Sequence, residues 1–238
     1  LFKKILIADR LGLAFSQIYG TENIASATAW IATILFSFQL YFDFSGYSDM
    51  AIGLARMFGF KFDKNFNYPY ISEGCSDFWR RWHISLGKWF RTYVYIPLGG
   101  NRCSTMRQIF NLAVVWLLTG IWHGASWNFV IWGIYSGAWV IFDKFVVEKY
   151  AKSIPKILRI ILTVLVVWIG WIFFFTSSLS QSVYWIKLIF GMSEFGFWNA
   201  ATSYYFMTNI VLILISILFC APFVGEFFEN LFIGTVKN

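Results

Sequence analysis

Residues 108–142 form a run of 35 positions without one Asp, Glu, Lys or Arg. A single helix of that length would extend about 52 Å, well past a hydrocarbon core of about 30 Å. The run therefore has to break, and HGAS at 123–126 is the expected place, because Gly124 and Ser126 weaken a helix. Both flanks are basic: residues 61–107 carry eight Lys/Arg against three acids, and 143–159 carry five against two. Cations of this kind mark cytoplasmic loops. With both flanks on one side, the run must enter and return, as two short spans or a re-entrant pair.

Other windows follow the same logic. Residues 23–42 read as one span, with a shorter, Gly-richer segment at 44–60, and 160–186 and 195–225 give one span each. Only 13% of the chain is charged, about half of what a water-soluble domain carries, so lipid is its main solvent. The 13 Trp, 12 Tyr and 28 Phe fit bilayer interfaces and the gaps between spans. A net charge of +7 raises nucleic acid as a partner, but the cations lie in the gaps between apolar runs and form no continuous patch, which excludes it. Cys75, Cys103 and Cys220 are odd in number and lack metal-ligand spacing, so neither a disulfide framework nor a metal site is expected. The chain opens on the amphipathic LFKKILIADRL with no tripartite leader, as a piece of something longer would.

Asp77 to Tyr95, DFWRRWHISLGKWFRTYVY, reads as one interfacial helix. Trp79, Trp82, Leu86, Trp89 and Tyr93 fall at steps of 3, 4, 3 and 4, while Arg80, Arg81, Lys88 and Arg91 lie mostly off that stripe. The chain has two histidines. His123 lies deep in the longest run, 16 residues after Arg107 and 20 before Asp143. An ionisable group there marks function unless it merely locks helix packing through a hydrogen bond. His83, beside the Trp82 stripe, has by spacing alone an equally good reading as an imidazole at headgroup level. Asp43 and Asp49 flank Ser45, Gly46 and Ser48, small residues that permit close backbone approach. The acids either orient a cation or close a helix turn. Gly99, Gly100 and Arg102 in YIPLGGNR form a turn whose N–H groups offer, at best, a weak phosphate cradle.

The stretches QLYFDFSGYSDMAIGLARMFGF (39–60), NFNYPY (65–70), FWRRWHISLGKWF (78–90), YIPLGGNR (95–102) and LLTGIWHGASWNFVIWG (117–133) together resemble the membrane-bound O-acyltransferase family, in its branch of alginate and other polysaccharide O-acetyltransferases. The resemblance implies an all-α, polytopic membrane protein whose tilted transmembrane and re-entrant helices surround a central tunnel. It treats residues 1–238 as a single membrane domain, the C-terminal portion of a longer acyltransferase with further helices before Leu1 and after Asn238. His123 matches the family's catalytic position, and His83 matches a second histidine on the cytoplasmic side of the tunnel. No bound cofactor is implied; acetyl-CoA is the expected donor substrate, with Arg80, Arg81 and Lys88 available to its phosphates. The expected partners are membrane lipid, a polysaccharide acceptor and an extracytoplasmic acetyltransferase or relay protein, at the bacterial cytoplasmic membrane. Thr92 stands where the family often has an acid after WFR, so an ion pair made by that acid is absent here.

Two other functions remain open from sequence. One is D-alanyl transfer to teichoic acid, within the same family. The other is a transporter or channel, since intramembrane acids and Gly-broken helices also line substrate paths, although the related halves common in transporters are missing. His123 is expected to act as general base on the acceptor hydroxyl, kept neutral by burial, with Trp122 and Trp127 walling the site.

Overall fold

Gly124 divides the long charge-free run as expected. In the computed structural model, which describes residues 1–224, helices α5 (Thr105–His123) and α6 (Trp127–Phe142) flank it as an antiparallel hairpin. Ser126 caps α6, its Oγ accepting from Asn128 N at 3.3 Å. Apolar side chains gain little by leaving lipid for each other, so spans associate through close backbone packing. Gly120 and Gly133 supply it: a Cβ on Gly120 would lie 2.5 Å from Phe129 O, and one on Gly133 would lie 2.5 Å from Trp116 O.

The hairpin brings the two basic flanks together at one end. Lys144 Nζ donates to Asn101 Oδ1 at 2.8 Å and to Gln108 Oε1 at 3.0 Å. Asp143 Oδ2 accepts from Ser76 N at 2.8 Å, capping helix α3 (Cys75–Arg81) across the fold. Glu73 pairs with Arg159 at 2.6 Å and with Lys156 at 3.1 Å. By the positive-inside bias, a cation-rich end shared by both loops is expected on the cytoplasmic face. In a full-length protein stripped of native cysteines, Lys64→Cys and Lys152→Cys are therefore both expected to resist an impermeant outside reagent in intact cells. Labelling of either one overturns this orientation.

Two expectations about spans are corrected. Residues 23–42 and 44–60 belong to one 32-residue helix, α2 (Ser26–Met57). Gly46 does not end it, because an interior Gly costs only about 1 kcal/mol and this one admits the chain's first turn so closely that a Cβ on it would lie 3.3 Å from Lys3 Cβ and 3.5 Å from Lys4 N. Those lysines precede helix α1 (Asp9–Tyr19), which runs antiparallel to α2, and they pair with Asp49 at 2.7 Å and Asp43 at 2.5 Å. The two acids thus orient cations of the chain itself. Residues 160–186 are not one span either, because Thr176–Ser178 separates α8 (Lys156–Phe175) from α9 (Leu179–Ile189). The Ser/Thr-rich TSSLSQS supplies the break: Ser178 Oγ accepts from Gln181 N, offering the backbone a cap in place of continued helix.

Helix α10 (Ala200–Phe219) lies within the expected 195–225 window and starts on an Asn199–Thr202 capping box. It runs alongside α2, with Thr28 and Thr202 hydroxyls 2.7 Å apart at one end. Between the flanks, a single turn, α7 (Glu148–Tyr150), extends the α6 rod. Four helical segments, Ser26–Met57, Trp127–Tyr150, Lys156–Phe175 and Ala200–Phe219, are long and apolar enough to cross a membrane. Among the described residues the fold is all-α, an integral membrane architecture.

The interfacial segment also departs from the single helix expected. It breaks after Trp82, and α4 (Ile84–Phe90) starts anew from His83, whose φ of +47 is left-handed. The turn rotates the stripe, so Trp82 and Phe90 are buried whereas Trp89 and Tyr93 are exposed.

Candidate active site

One face of α5, carrying Leu112, Val115, Trp116, Thr119 and His123, lines a cavity of about 240 Å³. These positions advance by one turn at a time, so the cavity follows the helix for about 16 Å. Its lower wall, toward the basic end, includes Arg91 and Tyr95, and its upper end is His123 at the hairpin turn. His83, from the break between α3 and α4, opens into the same space. The fold thus brings the chain's two histidines into one chamber from positions 40 residues apart in sequence.

Aromatic rings hold His123. Its imidazole lies edge-to-face with Trp132 at 4.9 Å and Phe174 at 5.2 Å, and 4.9 Å from Trp122. Behind them Trp79, Trp116, Trp132 and Trp171 pack on one another with centroids 4.9 to 6.1 Å apart. Much of the tryptophan content therefore fills the space between helices. Trp122 and Trp127, expected to wall the site, do not line the cavity and are 56% and 71% exposed. Trp127 faces outward at the hairpin turn, because the inward position of α6 belongs to Trp132, whereas Trp122 packs against both histidine rings, 4.9 Å from His123 and 6.1 Å from His83, without lining the cavity.

His83 is held differently. Its Nδ1 lies 3.3 Å from Asn65 Oδ1 and 3.3 Å from Ser85 Oγ, and its ring stands at 88° to Phe44 at 4.7 Å. Burial draws it below the ordinary imidazole range.

The cations assigned to the donor lie elsewhere. Arg81 pairs with Asp77 at 3.0 Å, Lys88 pairs with Asp63, and Arg80 is exposed; none of the three lines the chamber. Arg91 does line it, although its off-stripe position gave no separate sign of this. In YIPLGGNR the glycine N–H groups are occupied by the turn itself: Gly99 N donates to Ile96 O and Gly100 N to Tyr95 O, both at 2.9 Å, leaving no phosphate cradle. A second hollow beside it, lined by Arg91, Tyr95 and Arg102, shares its wall with the chamber.

Fold and chamber define a polytopic membrane protein with a histidine-bearing cavity that reaches Arg91 at its other end. Residues 14–186 match the family model of the membrane-bound O-acyltransferases, and the chain belongs to that family. It is 44% identical over 197 residues to the probable alginate O-acetylase of Pseudomonas aeruginosa, covering 83% of this chain and 37% of that protein. It is 37% identical over 231 residues to the peptidoglycan O-acetyltransferase of Helicobacter pylori, covering 93% of this chain and 44% of that protein. Similarity to the teichoic acid D-alanyltransferase of Bacillus subtilis is 34% over 125 residues, half of this chain and 31% of that one. The chain thus spans less than half the length of the curated relatives it matches.

Proposed function

We propose that the full-length protein moves an acetyl group from cytoplasmic acetyl-CoA to a polysaccharide of the cell envelope, directly or through an extracytoplasmic relay protein, in a bacterial cytoplasmic membrane. The observation that carries this reading is the chamber along α5, which joins a cationic wall at Arg91 to His123 at the hairpin turn. A slender apolar channel suits an acyl thioester on a flexible arm, with the donor's phosphates left at the basic end. Acetyl transfer is favoured over D-alanyl transfer because the relatives named for O-acetylation align over 83% and 93% of the chain, against half for the D-alanyltransferase. No metal takes part in this scheme. A thioester already has a good leaving group, so the step that needs help is removal of the acceptor proton, and in this reading His123 takes it. His83 serves the donor side.

The test is radiolabelled acetyl-CoA supplied to membranes containing the full-length protein together with polysaccharide. Label on the polymer supports acetyl transfer. Uptake of label without transfer identifies a transporter, and no label from acetyl-CoA but transfer from a D-alanyl carrier thioester moves the chain to the other branch.

The donor's phosphates can be held by Arg80, Arg81 and Lys88 or by the chamber's own Arg91. Loss of one charge-assisted contact corresponds to about a 10-fold change in affinity. Arg81→Glu is expected to raise the KM for acetyl-CoA by about that factor if the outer cations bind donor. An unchanged KM in Arg81→Glu, with a rise in Arg91→Glu, assigns the donor to Arg91 and leaves the outer cations to anionic lipid.

A further inference from the structure

Asn65 lies outside every helix, in the segment joining α2 to α3, and it touches all sides of the break at His83. Its main-chain O accepts from Ile84 N at 2.9 Å, and its Nδ2 donates to Ser48 Oγ on α2 at 3.3 Å. Its Oδ1 accepts from Ser85 N at 3.0 Å and Ser85 Oγ at 2.9 Å, and lies 3.3 Å from His83 Nδ1. The backbone N–H of Ser85 can only donate, so the amide atom facing it must be the oxygen. An amide oxygen can only accept, and Ser85 Oγ, also 3.3 Å from Nδ1, commits its one proton to that same oxygen at 2.9 Å, so the proton of a neutral His83 ring is assigned to Nδ1. Nε2 is then left with a free lone pair on a ring that lines the chamber.

Rotation is restricted as well. Phe44 stands edge-on to the ring at 4.7 Å, and the left-handed backbone at His83, φ +47, is a conformation that only surrounding contacts sustain in a non-glycine residue. Asn67 N donates to Arg81 O at 3.0 Å, closing the break from the other side.

We propose that Asn65 is a positioning residue for His83: by accepting from Nδ1–H it presents Nε2 to the chamber as a hydrogen-bond acceptor. The consequence, resting on the reading of the cavity as a reaction chamber, is a division of labour. His83 receives an N–H or O–H of the substrate, such as an amide of the donor's arm, and in its neutral form gives no proton to a carbonyl oxygen there.

The experiment is nitrogen-15 NMR of histidine-labelled full-length protein in lipid nanodiscs at mildly alkaline pH, with the His83 signal identified as the one missing from His83→Gln. The wild type is expected to show the Nδ1–H tautomer at His83. Asn65→Ala is expected to shift it toward Nε2–H, the form a free histidine side chain prefers, and to lower the transfer rate by about 10-fold, on the scale of a misplaced catalytic group. Asn65→Asp, which keeps an oxygen acceptor in place, should retain Nδ1–H. An Nε2–H signal in the wild type overturns the proposal even if no variant folds, as does a tautomer unchanged in Asn65→Ala. A shifted tautomer with an unchanged transfer rate upholds the positioning and overturns the use of His83 in the reaction.

Discussion

His123→Ala in the full-length protein is expected to keep its place in the membrane and lose acetyl transfer by about 10²–10⁴-fold, the usual contribution of a positioned general base. The geometry explains why insertion survives. His123 is the last residue of α5, and the aromatic edges of Trp132 and Phe174 grip the ring. Among the described residues no hydrogen bond ties the imidazole to another side chain, so its removal leaves no buried polar group orphaned. The same absence leaves its nitrogens free for substrate. In the proposed reaction the hydroxyl is a weak nucleophile near neutral pH, and an aromatic chamber that excludes water would protect a thioester from hydrolysis while the proton is removed. His123→Gln separates a base from a packing residue. Glutamine can still form hydrogen bonds but cannot take up a proton at this pH, so it should restore little. Near-wild-type polymer labelling in the Gln variant would return His123 to a structural part.

How far the sequence disclosed this site depends on the kind of signal. His123's place in the chamber was legible because an ionisable group inside 35 uncharged residues is conspicuous, and the break beside it was legible because such a run cannot be one span. The chamber's walls were not. Trp132, Trp171 and Phe174 come from helices whose apolar faces all look alike in a lipid-facing sequence, where the usual polar and apolar alternation is lost. Trp122, next to His123 in sequence, touches its ring but does not line the cavity, because one step along a helix turns a side chain by about 100°, and Trp127 lies beyond the break on another helix. Asn65 entered only as the first residue of the stretch NFNYPY and without a role, since a loop amide acquires one only once α4 begins beside it. The single interfacial helix failed for a related reason: periodicity continued through His83, and nothing in it foretold the left-handed turn.

The outer cations show what charge patterning leaves out. Arg81 and Lys88 stood out as a basic face, yet Asp77 and Asp63, 4 and 25 residues away, take them up. Arg91, without such a partner among the described residues, was the less conspicuous member of the same set.

The second large effect concerns the hairpin. Gly133→Ala is expected to destabilise the protein, against the usual gain of about 0.5–1 kcal/mol from replacing a helical Gly by Ala. The sign reverses because the new Cβ meets Trp116 O at 2.5 Å and Gly120 Cα at 3.1 Å, which are backbone atoms and cannot turn aside as a flexible side chain would. The α5 and α6 axes must separate, and overpacking of this kind typically costs about 1–3 kcal/mol. Gly133→Leu should exceed that and prevent the hairpin from closing. Separation also propagates to function, because α5 carries His123 and α6 carries Trp132, whose edge-to-face contact sets one wall of the chamber. Gly53→Ala is the control: it is also helical, but a Cβ there meets nothing within 4 Å, so it should be neutral or mildly stabilising. Thermal unfolding of the detergent-purified full-length protein, read by size-exclusion recovery after heating, compares the three. A midpoint for Gly133→Ala at or above that of Gly53→Ala would mean that α5 and α6 can part at no cost, and that their close approach does not hold the chamber together.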